Sequence, residues 1–174
     1  MATMTITKLK DTTIACGGSL DFNGSKGIYQ VDITIGTGTG YTGVEYDAND
    51  LPDRFQIYYN GLLIKDSKYV GDGIRGNPPD YFGLVGTDIT IPIYQYNNTV
   101  FENTGETARV IVTQSDVADR SPEEPTAGRG ILYFNKTEAF PATFTVVITG
   151  VRESTGWKLR RIICPQPTIP IIPK

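Results

Sequence analysis

In Tyr29–Ile35, "YQVDITI", Tyr29, Val31, Ile33 and Ile35 alternate with Gln30, Asp32 and Thr34. A period of two suits extended backbone with one buried face and one wet face, because successive side chains on a strand point to opposite sides. The same alternation runs through "RFQIYYNGLLIKD", where Phe55, Ile57 and Tyr59 precede Asn60-Gly61, and Leu62 and Ile64 resume after it. Asn-Gly between apolar runs is a hairpin signal, since both turn residues of a type I′ turn need positive φ. Further strands are expected at 41–46, 88–94, 107–113, 129–135, 143–149 and 157–163, with Ile14 to Phe22 opening the domain. The chain holds 19 Ile and 22 Thr against 8 Leu and 8 Ala, a bias toward β-branched residues and away from strong helix formers. The expectation is all-β: one antiparallel β-sandwich of about nine strands over residues 12–165, jelly-roll or Ig-like, with an extended arm or edge strand at 1–11 and a Pro-rich extended arm at 166–174.

One segment points elsewhere. Gly38, Gly40 and Gly43 have the G-x-G-x-x-G spacing of a dinucleotide-binding turn. That motif requires a helix after its third glycine, whose N-terminal N–H groups hold the pyrophosphate. Here Val-Glu-Tyr-Asp-Ala-Asn-Asp-Leu follows and Pro52 stops it, so no amphipathic helix fits, and the position of the ribose-binding acid falls near Leu63. The segment is read as strand, glycine-rich turn, strand.

The chain has no His. Ser-His-Asp and Cys-His nucleophile pairs and His-ligated zinc are therefore excluded. An enzyme would depend on carboxylates, Lys or Tyr, and no G-x-S-x-G, Walker A or C-x-x-C motif is present. A net charge of -3 and a pI near 5.0 argue against a phosphate-backbone partner. The densest basic cluster, Lys158, Arg160 and Arg161, is read as solvated charge on an edge strand. No run of 18 apolar residues indicates a membrane span, and the opening "MATMTITKLKDTTIACGG" lacks the long apolar core of a secretory signal.

Asp47, Asn49, Asp50 and Asp53, with Asp66 and Asp72 downstream, are candidate Ca²⁺ ligands, because hard cations take loop oxygens. The rest of an EF-hand is missing: Tyr58 stands at the twelfth position and the sixth is not Gly, so Asx-turn capping is the competing account. Tyr69, Tyr81, Phe82 and Trp157 are the aromatics that a sugar would stack on. Trp157 begins an alternating strand and is read as core. The sequon asparagines Asn97 and Asn135 matter only in a eukaryotic secretory setting. Cys16 and Cys164 leave two outcomes open, a disulfide closing a long loop or a pair of buried thiols.

Gly71–Thr87 and Ser115–Gly130, the latter with Glu123-Glu124 between prolines, read as surface loops. The end of the chain, "CPQPTIPIIPK", alternates prolines with Ile169, Ile171 and Ile172. Proline removes N–H donors and favours extended backbone, so this is an arm whose isoleucines are expected to dock on a neighbouring subunit, with packing back against the same domain as the alternative.

The segments Gly36–Gly40 (G-T-G-T-G), Pro52-Asp53-Arg54-Phe55, Tyr59-Asn60-Gly61, Ser154-Thr155-Gly156-Trp157 and Cys164-Pro165 resemble a β-sandwich module of tailed-bacteriophage virion proteins. The likeness is to the crAss-like podoviruses of gut Bacteroidetes and spans roughly residues 13–165. The resemblance implies a non-enzymatic virion protein, assembled in the host cytoplasm in many copies: a capsid auxiliary or decoration subunit. Its partners would be the major capsid, fibre or tail proteins, and it carries over no catalytic motif. The alternative it leaves open is a carbohydrate- or Ca²⁺-binding adhesion module of a phage fibre or tail.

Overall fold

The computed structural model describes residues 13–72, 83–118 and 128–172. These form eleven strands and one short 3₁₀ turn at Gln114–Asp116. The strands are β1 (Thr13–Ala15), β2 (Leu20–Gly24), β3 (Gly27–Thr34), β4 (Gly40–Asp47), β5 (Asp53–Tyr59) and β6 (Leu62–Val70), followed by β7 (Asp88–Tyr96), β8 (Phe101–Ile111), β9 (Arg129–Lys136), β10 (Thr143–Gly150) and β11 (Thr155–Gln166). The larger sheet has the order β6-β5-β10-β3-β7-β8, with β1 also on β3; the smaller sheet is β2-β11-β4-β9. The two sheets pack face to face, as expected of a β-sandwich.

The alternation read from Tyr29–Ile35 is the core pattern: Tyr29, Val31, Ile33 and Ile35 are buried among Val146 and Ile148 of β10, Phe55 and Ile57 of β5, and Val44 and Leu159 of the facing sheet. One end of this core is aromatic. Trp157 is enclosed by Phe22, Tyr29 and Phe101 at ring separations of 5.5, 6.1 and 5.8 Å, and Tyr94 stacks on Tyr29 at 5.0 Å. Such ring pairs add about 0.5–1.5 kcal/mol each beyond the area they bury. Asn60 and Gly61 have φ of 53° and 75°, the two positive values that a type I′ turn between β5 and β6 requires.

Three expectations change. The opening run 14–22 is two strands in different sheets, because the chain crosses at Cys16–Gly18. There the Cys16 N–H donates to Thr34 of the larger sheet, and the Gly17 N–H to Ile162 of the smaller. The larger sheet is mixed rather than purely antiparallel: β1 and β7 both run parallel to β3, sharing its one edge by pairing with different halves of it. The strand expected at 107–113 begins at Phe101, the first half of β8 being a polar edge without alternation.

A second, smaller core lies on the outer face of the larger sheet. Leu84, Val112 and Val117 fold over Ile91 and Tyr69, with Ile89 and Val110 beside them. Arg54 fastens this covering segment. Its guanidinium donates to both carboxylate oxygens of Asp66 (2.9 and 2.5 Å) and to Asp116 of the 3₁₀ turn (3.1 Å), and it lies 5.7 Å from the Tyr69 ring centre. Among the described residues the covering reaches one end of the outer face.

Candidate binding surfaces

The glycines of the 38–43 segment serve close packing. A side chain at Gly43 would place its Cβ 1.9 Å from the Leu132 carbonyl oxygen on β9, and one at Gly40 would lie 2.5 Å from that of Gln166 on β11. β4 is the strand between those two. The turn is held by a buried cation: Lys136 Nζ donates to the carbonyls of Gly38, Glu138 and Ala139 at 2.7–2.8 Å. A lysine whose three protons all meet carbonyl oxygens is satisfied without water.

The four candidate Ca²⁺ ligands are not brought together as a ligand set, and among the described residues no group of three or more acidic or thiol side chains converges on a common point. Asp47 caps its own turn, accepting the Asn49 N–H at 2.9 Å, and faces Arg160 at 3.4 Å and Arg129 at 3.9 Å. Asn49 adopts φ 58° and donates its amide to the Gly156 carbonyl. Asp50 is exposed beside it. Asp53 turns the other way, into the sandwich, where its carboxyl accepts from Thr155 Oγ1 under Gly150. Burial raises this carboxyl well above the usual range, with the Thr155 bond opposing, and its second oxygen has no partner. The divergence follows from strand alternation: Asp53 shares the inward face of β5 with Phe55 and Ile57.

This end of the molecule gathers the bases of both sequence-predicted loops. The Asp72 N–H donates to Asn49, the Gly128 N–H to the Asp72 carboxylate, and the Ala48 N–H to Gly128. Most of Gly71–Thr87 and of Ser115–Gly130, including Tyr81, Phe82 and Glu123-Glu124, lies outside the described residues, as does the arm at 1–11. Tyr69 and Trp157, the other stacking candidates, are buried at 2% and 1% exposure and so present no ring to a ligand; burial pushes the Tyr69 hydroxyl up to about 12. Of the sequon residues, Asn97 is buried in the β7–β8 turn, where its side-chain oxygen accepts from Thr99 and Val100 N–H, whereas Asn135 is exposed.

The basic cluster is not on an edge strand. β11 lies between β2 and β4, and its outward arginines are paired across the sheet. The buried Glu45 carboxylate meets Arg161 at 2.8 Å, Arg160 at 3.3 Å and Arg129 at 3.6 Å. Lys158 stands opposite Asp47 and Asp21. Sequence reasoning saw the three cations but not the acids that topology sets beside them.

Arg161 also holds the end of the chain. Its second terminal nitrogen donates to the Ile171 carbonyl at 2.7 Å, and Pro170 is buried against the domain. The 166–172 segment therefore folds back on its own sandwich by backbone and proline. Its isoleucines point outward, with exposures of 49% at Ile169, 75% at Ile171 and 37% at Ile172. Near its root, Cys16 and Cys164 form a disulfide with Cα atoms 5.1 Å apart, on the half-exposed to exposed surface rather than as buried thiols.

One surface was not singled out from sequence. Where the covering segment ends, the outer face of the larger sheet forms a groove of about 610 Å³ across β3, β5, β10 and β7. Its polar groups are Gln30, Asp32, Gln56, Gln95, Tyr58 and the hydroxyls of Thr145 and Thr149; Ile28, Ile93 and Val147 supply apolar floor. Asp32 is oriented by Thr145 Oγ1 at 2.7 Å and by the Gln95 amide at 3.4 Å. Gln30 and Asp32 were legible only as the wet side of an alternating strand. No family model, curated protein or solved structure matches the chain.

Proposed function

We propose that the chain is a non-enzymatic structural subunit of a bacteriophage virion, a capsid auxiliary or decoration protein that binds neighbouring virion components through its C-terminal segment. The observation that supports this is the geometry of that segment. Arg161 and Pro170 fix its backbone, while Ile169, Ile171 and Ile172 are left in water. A pre-ordered apolar strip loses little conformational entropy on docking, and each isoleucine transferred from water contributes about 1.5–3 kcal/mol if fully covered. Repetition over many copies multiplies a modest contact into a stable attachment. The sequence resemblance to phage virion modules agrees with this reading.

The test is truncation after Gln166, which removes the strip and keeps all of β11. The truncated chain is expected to fold with a similar melting temperature and to be missing from purified particles. Incorporation at the level of the full chain would refute the assignment.

A further inference from the structure

The geometry points to a binding site for a neutral oligosaccharide in the groove across β3, β5, β10 and β7. This site is independent of the C-terminal strip and of the virion reading. Three observations carry it.

The groove is a shallow, open depression on the outer sheet face. Among the described residues no element covers it, its lining residues are half-buried, and Thr149 is buried. Its volume falls within the ~300–1,000 Å³ of small-ligand sites.

Its polar groups are of mixed type and partly pre-set. Asp32 is acceptor-only and is held in place by Thr145 and Gln95. The Gln30 amide and the Tyr58 hydroxyl face the groove without a protein partner among the described residues. Gln56 uses one amide proton on Asp66 at 3.3 Å and keeps its carbonyl oxygen. Planar amides that both donate and accept, beside a fixed acceptor, match the vicinal hydroxyls of a sugar. Ile28, Ile93 and Val147 offer a small apolar floor to the C–H face of the ring.

The surroundings select against other ligands. No Lys or Arg is among the lining residues, and Arg54 beside Gln56 on β5 is committed to Asp66 and Asp116, so among the described residues the charge that an anionic sugar meets in the groove is that of Asp32. β3, β5 and β10 are paired on both sides, so no free backbone edge is available to a peptide strand. The apolar area is too small and broken for a protein hot spot.

The experiment is an NMR titration of the full chain with neutral hexasaccharides (cello-, malto-, laminari-, manno- and xylo-series) and with two anionic controls, oligogalacturonate and a heparin fragment. At least one neutral sugar is expected to shift the amides of Gln30, Asp32, Gln95 and Thr145 saturably, with the anionic controls at least tenfold weaker. Gln30→Ala, which breaks no protein hydrogen bond, should weaken binding tenfold or more without moving the melting temperature. Asp32→Asn should narrow the gap between neutral and anionic sugars. The absence of a saturable groove shift with every neutral sugar, equal binding of the anionic controls, or unchanged affinity in Gln30→Ala would each overturn the site.

Discussion

Asp53 is the residue whose chemistry is least expected from its type. An acid in a cluster of acids reads as a ligand, yet it lies in the core with one oxygen on Thr155 and the other without a partner. Because burial raises its folded-state pKa, the neutral form is preferred in the fold. The stability it contributes is complete below the unfolded value of about 3.9 and is lost as pH rises toward the folded value. Asp66 and Asp116 have the opposite sign. Burial would raise both, but Arg54 and backbone N–H groups bring them below the usual range, so their contribution is lost only as pH falls beneath about 4. Asp53→Asn should therefore be more stable than the parent at neutral pH, by a margin that grows from pH 4 upward at no more than ~1.4 kcal/mol per unit. Denaturant titrations at several pH values check this, and a constant or reversed margin would contradict it. Gly43 supplies a second residue-scale prediction. With backbone 1.9 Å from the Cβ position, Gly43→Ala forces β4 and β9 apart and should destabilise by about 3 kcal/mol or more, read as the shift in denaturation midpoint.

Local periodicity and turn chemistry carried much of the element-scale structure. Alternation in β3 and β5, the Asn60-Gly61 turn and the core position of Trp157 are all visible in neighbouring residues. What escaped was set by distant partners. After Phe101, whose ring joins the aromatic core, the stretch Glu102–Glu106 of β8 is exposed on both faces and is held to β7 by its backbone and by Thr104 Oγ1 donating to the Ile93 carbonyl, so no hydrophobic period marks it. The outward charges of β11 look like edge protection until Glu45 and Asp47 arrive from β4. The groove was hidden for a related reason: a wet face reads the same whether the sheet is flat or recessed. The disulfide also depends on a non-local event, the crossing of the chain between sheets at Cys16–Gly18, which sets Cys16 beside Cys164 across 148 residues. A loop of that length loses much unfolded-state entropy when closed. Replacing both cysteines by serine should cost about 2–5 kcal/mol, and chemical reduction should reproduce the loss. Coincident denaturation curves with and without reductant would show that the link carries no stability.

At the scale of the whole molecule, two packed sheets form a body whose larger outer face, among the described residues, is covered at one end, and whose 166–172 segment is held against the domain. The apolar side chains of that segment are oriented away from the core that could have absorbed them. Under the proposed virion role, the contact with other components falls at Ile171, the most exposed of the three isoleucines, rather than at the loop end near Asp47. A photo-crosslinking amino acid at position 171, activated in assembled particles and followed by mass spectrometry, measures this directly. The prediction is a crosslink to a different virion protein or to a second copy of the chain. Crosslinks confined to the same chain, with the particle intact, would contradict it.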